Sequence, residues 1–150
     1  EYLIEDTDYA VDVERKLCDA LRILSNKVLT GLKNNTIVPR KQNEDEATYL
    51  LIRKPVDGQI DWKEPVEKIH RLVRAASHPY PGAFGMYDGE HQIIIWRANI
   101  IENKDIIGIP GQICRICEGS FDVLGVDGIL SVTEWDNVDQ VKMFVGHKLK

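Results

Sequence analysis

The sequence predicts an α+β protein: an N-terminal helical arm, then a helix packed on a small antiparallel open β-barrel. Three observations lead there. Apolar residues recur at steps of three and four across residues 7–34, which paints one stripe along a helix. A second, shorter helical period covers residues 64–76. Past Pro81, short apolar runs alternate with Gly and Asp turns for roughly seventy residues, the spacing of a small barrel or sandwich.

The stripe of the first helix is Val13, Leu17, Ala20, Leu21, Leu24, Val28 and Leu32. Thr7 or Asp8 is the expected N-cap, and Asn34-Asn35 the left-handed exit. Gly31 in the last turn costs about 1 kcal/mol relative to Ala, so the end is expected to fray. From Pro39 to Glu46 the chain has no apolar residue to bury, which marks a linker. Thr48–Ile52 reads as a buried strand and Asp57-Gly58 as a tight turn.

In the second helix Pro65 suits the first turn. Val66, Ile69, Val73 and Ala76 form its apolar face, and Glu67 and Arg71 pair at i,i+4 on the wet side. Pro79-Tyr80-Pro81-Gly82 ends it. Strands over 83–87 and 92–98 flank Asp88-Gly89, a hairpin signal. Strands over 111–117, 121–126 and 129–135 follow, turning at Gly119 and Asp127-Gly128.

The chain's 150 residues, 43% hydrophobic and 29% charged, suffice for a real core and argue against intrinsic disorder. Apolar runs such as Ile93–Trp96 are strand-sized, far from the ~20 residues of a membrane helix. Neither a starting Met nor a basic-then-apolar leader is present, so an excised piece of a cytoplasmic protein is expected. A net charge of −5 opposes nucleic acid as a general partner. Three cysteines make no disulfide framework.

Few residues gather into chemistry. Cys114 and Cys117 form a C-x-x-C without a second ligand pair for zinc. They sit in an apparent strand, where residues three apart point to opposite faces. His70, His78, His91 and His147 are scattered, with no ligand spacing and no nucleophile beside them. No phosphate-cradling glycine loop occurs. No catalytic and no metal-ligating residue is therefore assigned. Arg53 and Lys54 stand apart, as a basic pair just past the linker and before Pro55. There they could hold a substrate phosphate, or simply balance Glu44, Asp45 and Glu46 as solvated charge.

One stretch is more specific. It runs Asp57-Gly58-Gln59-Ile60-Asp61-Trp62, then Ile69-His70-Arg71-Leu72-Val73-Arg74-Ala75, then Pro79-Tyr80-Pro81-Gly82-Ala83. In that order and spacing it resembles the C-terminal domain of the 10-formyltetrahydrofolate-dependent formyltransferases. Ile4-Glu5-Asp6-Thr7-Asp8 looks like that family's strand exit into the last helix of its catalytic domain. Glu46-Ala47-Thr48-Tyr49 looks like its interdomain strand, and Pro110-Gly111 and Asp127-Gly128 like its later barrel turns.

The resemblance implies residues 1–45 as the helical arm and linker from the end of a catalytic domain, and 46–150 as an OB-like C-terminal barrel. It also implies a Rossmann-like catalytic partner domain, whose Asn, His and Asp and His-x-Ser-Leu-Leu-Pro stretch this chain lacks. The isolated chain is then expected to be inactive and to hold no cofactor, with 10-formyltetrahydrofolate as formyl donor in the parent enzyme. Arg53 and Lys54 fall at the family's basic linker segment, although Ile52 stands where some sugar-modifying relatives carry an Arg. Arg74, five residues before Pro79, matches the Arg that precedes the family's P-x-P-G turn, as a substrate contact or as a pin for the following loop.

From Gly111 onward Glu118, Asp122, Asp127, Glu134, Asp136 and Asp139 face only Arg115, Lys142, Lys148 and Lys150. That balance favours a small amine acceptor on a sugar nucleotide over initiator tRNA. The competing reading is a free-standing β-barrel binding module with no enzymatic role.

Overall fold

In a computed structural model, which describes residues 2–102 and 105–150, the chain divides into two units, Glu1–Arg53 and Lys54–Lys150. Among the described residues, no helix is long and apolar enough to cross a membrane.

The first unit is built on helix α1 (Ala10–Lys33). Its cap is Tyr9, not Thr7 or Asp8: the Tyr9 amide donates to Asp12 Oδ2 at 3.1 Å. Asp8 instead takes the Lys16 ammonium at 2.6 Å. The exit matches expectation, with Asn35 at φ 52°. Gly31 does not fray the helix. It is buried, a Cβ there would lie 2.5 Å from Ile37 Cγ1, and its carbonyl accepts from the Thr36 amide. Glycine is used here for a close approach rather than for flexibility. The stripe itself is wet: Leu17, Leu21, Leu24, Val28 and Leu32 remain 43–56% exposed.

The buried strand expected at Thr48–Ile52 does not form. Tyr49, Leu50, Leu51 and Ile52 are 85–96% exposed and take no ladder. An extended apolar run becomes a strand only where an edge offers partners to its N–H and C=O groups.

The second unit opens with the 3₁₀ turn Pro55–Gly58, started by the Lys54 amide donating to Asp57 Oδ2 at 2.6 Å. Helix α2 (Val66–Ala76) follows, with Pro65 as its N-cap and Val66, Ile69 and Val73 buried. The Arg71–Glu67 pair forms at 3.0 Å on the wet side. Five strands make one antiparallel sheet: β1 (Ala83–Tyr87), β2 (His91–Ile101), β3 (Ile113–Cys117), β4 (Ser120–Leu124) and β5 (Ile129–Asn137). Their order is β1-β2-β5-β4-β3. The β1–β2 hairpin turns on Asp88 and Gly89, at φ 51° and 87°, as the sequence predicts.

Burial alternates along β1 and packs Ile93, Ile95, Phe121, Val123, Leu130 and Val132 into the core. Helix α2 lies on this sheet, chiefly against β2. Two irregularities break the alternation. Around Trp96 the β2–β5 pairing slips by one residue and recovers, with Ile95 opposite Trp135, Arg97 opposite Glu134 and Ala98 opposite Val132, and Ile95 and Trp96 are both buried. In β3, Cys114 is the extra residue between Ile113 and Arg115.

The C-terminal segment reaches both edges of the sheet. Met86 and Lys150 exchange two backbone hydrogen bonds, at 2.7 and 2.9 Å, on the β1 side. Leu149 donates to Gly111 O at 2.8 Å, and Ile113 to His147 O at 2.9 Å, on the β3 side. The Leu149 side chain is fully buried. Sheet edges are unpaired templates unless covered, and here one short segment covers part of each.

Candidate functional site

Arg53 and Lys54 are consecutive residues at the junction of the two units, and both are exposed. The fixed feature beside them is the Asp57 carboxylate, which takes the Lys54 amide and leaves the Lys54 ammonium to solvent. Arg74 lies elsewhere, half-buried in the last turn of α2. Its charge suits the carbonyl end of the helix dipole and bears on His70, one turn back.

His70 Nε2 lies 2.9 Å from Ala98 O, which ties α2 to β2. Burial holds the His70 pKa below the ordinary imidazole value. The Ala98 carbonyl opposes that shift and the Arg74 guanidinium adds to it.

Two further histidines are tied to carboxylates around the hairpin tip. His147 Nδ1 is 2.7 Å from Asp88 Oδ2, and His91 Nδ1 is 3.0 Å from Asp139 Oδ2. The His147 ring also stacks beside Tyr87, at 5.5 Å between centroids. The hydrogen bond from His147 pulls the Asp88 pKa down.

The C-x-x-C places Cys114 at the β3 bulge, where its thiol donates to Asp122 O at 3.4 Å. Burial first, and then the Asp122 charge, push that thiol's pKa up, away from the thiolate that redox or metal chemistry uses. Cys117 is exposed.

Sequence reasoning missed one arrangement. His78, in the loop after α2, lies flat on Trp96, with centroids 3.9 Å apart and planes within 15°. The Trp96 indole N–H donates to Asp136 Oδ2 on β5 at 2.9 Å. No local pattern announces this cluster, because strict alternation would not bury both Ile95 and Trp96, as β2 does. An exposed His before a proline carries no signal of its own.

Residues 53–144 match the family of the formyl transferase C-terminal domain. The chain belongs to that family. The matched residues take in the 3₁₀ turn, α2 and all five strands, so the family's domain is here an antiparallel sheet carrying one helix. Crystal structures of HypX from Aquifex aeolicus share the fold. One variant is 15% identical over 91% of this chain and 24% of that one, at a TM-score of 0.71. A second is 16% identical over 91% and 23%, also at 0.71. A third HypX structure, in complex with tetrahydrofolic acid, is 18% identical over 73% of this chain and 19% of that one, at 0.58.

This formyltransferase C-terminal domain chain therefore spans about a quarter of the length of the solved structures it matches. A match over 91% of the chain is more than the second unit supplies, so the fold likeness extends into the helical unit.

Proposed function

We propose that this chain is the acceptor-positioning portion of an enzyme that moves a formyl group from 10-formyltetrahydrofolate to an amine on a sugar nucleotide. Membership of the formyltransferase C-terminal domain family over residues 53–144 carries the reading. In such a reaction an amine attacks the formyl carbon, a base takes its proton and a donor stabilises the oxyanion. A C-terminal domain of this family implies a further, catalytic domain, and the proposal assigns donor binding and chemistry to a Rossmann-like catalytic partner domain.

This chain's part is orientation, which lowers the barrier by fixing the acceptor before reaction. Arg53 and Lys54 would take an acceptor phosphate, the Arg as a fork and the Lys as a point charge. Arg74 would either face the acceptor or steady the loop that follows it. The wet stripe of α1, from Leu17 to Leu32, supports a catalytic partner domain, because apolar surface of that extent marks an interaction face. The acidic balance from Gly111 onward supports a small acceptor over a nucleic-acid one.

The parent protein tests this directly. With 10-formyltetrahydrofolate it should formylate an amino-sugar nucleotide and leave methionyl initiator tRNA unmodified. Turnover of the tRNA alone would transfer the acceptor reading to initiator tRNA. Transfer to neither would leave the binding-module reading standing.

A further inference from the structure

We infer that the outer face of His78 is a stacking platform for a planar nitrogenous ring, the nucleobase of the acceptor, held by the second unit alone. The inference rests on the sugar-nucleotide reading above and deepens it. His70, His91 and His147 each commit a ring nitrogen to a hydrogen bond inside the fold. His78 instead stacks face to face on Trp96. One π face is thus fixed at 3.9 Å from the indole, and the residue is exposed.

The support beneath the ring is built, not incidental. Trp96 is 8% exposed and sits at an irregularity of the β2–β5 pairing, next to the buried Ile95. Asp136 fixes its N–H. Gly82 leaves it room, since a Cβ there would lie 2.8 Å from Trp96 Cζ3. The loop bearing His78 is tied at both ends, by Ser77 N donating to Val73 O at 3.0 Å and Gly82 N to Ala76 O at 2.8 Å. A ring held this way loses little entropy when a base stacks on it, and every base has a π face to offer.

The test is a titration of the 150-residue chain with uridine and thymidine monophosphates, read from the His78 ring protons by NMR. The expected result is a saturable upfield shift, with a Kd on the order of a millimolar. His78→Ala, with its melting temperature retained, should weaken binding about tenfold, and His78→Phe should restore it. Absence of a saturable shift at His78 overturns the platform. So does a shift reproduced by inorganic phosphate alone, or one given by folic acid and not by the nucleotides. The acceptor reading fails separately: binding at His78 without turnover of any sugar nucleotide by the parent protein supports the platform and removes that reading.

Discussion

The Asp127 carboxylate, in the turn between β4 and β5, accepts a hydrogen bond from the Val66 amide at 2.8 Å, across 61 residues of chain. It serves as the cap that Pro65, lacking an acceptor side chain, does not provide to α2. The same corner has no spare volume: a Cβ at Gly125 would lie 2.1 Å from Val66 Cγ2. One turn thus seats the helix on the sheet by a polar contact and a close approach together.

Asp127→Ala should therefore cost about 1 kcal/mol, as loss of an N-cap does, while Asp127→Asn should cost far less because an amide oxygen still accepts. Urea midpoints of the three proteins check this. Equal losses for Ala and Asn would mean that charge at the helix start, rather than the hydrogen bond, sets the effect.

Closure by the C-terminal segment makes Leu149 a core residue that its surroundings in sequence do not announce. Leu149→Ala should cost about 2–5 kcal/mol, well above the cost of truncating the exposed Phe144. Removing residues 146–150 should also strip the cover from β1 and β3 and promote association through the bared edges. Denaturation and size-exclusion measurements report the two effects separately.

Most of the second unit was legible. The spacing of Val66, Ile69 and Val73 marks a helix face, and Asp88-Gly89 marks a hairpin, because both signals are local. Three things were not legible, each for a non-local reason. Tyr49–Ile52 looks like a strand but lacks an edge to join. Leu149 is a lone apolar residue in a polar tail, and it is buried only because backbone bonds hold it between two distant strands. Trp96 and His78 come together through a pairing irregularity and a loop, which period-two reasoning passes over. Arg53 and Lys54 were found as a charge pattern, and charge alone does not name a ligand.

Stability should fall as pH drops through the ordinary imidazole range, and His70 should carry part of the slope. Its folded pKa lies below the ordinary value because burial penalises the charged ring. On acidification the unfolded chain takes its proton first, so the contribution is intact above the unfolded pKa and is lost toward the lower folded one. His70→Gln should flatten the dependence of the urea midpoint between about pH 7.5 and 5. A slope unchanged by the substitution would assign the effect to other groups.

The proposal with most at stake concerns Arg53. If its guanidinium holds an acceptor phosphate, Arg53→Ala in the parent enzyme removes a charge-assisted hydrogen bond, and the acceptor KM should rise on the order of ten- to a hundredfold. The folate KM should stay within about twofold, since uniform binding is lost for one substrate only. Arg53 is exposed, so the melting temperature should not move. Arg53→Lys should recover part of the loss, because a point charge remains where the fork has gone. An unchanged acceptor KM would reduce Arg53 to solvated charge. A fall in melting temperature with both KM values raised would make it a structural residue of the junction.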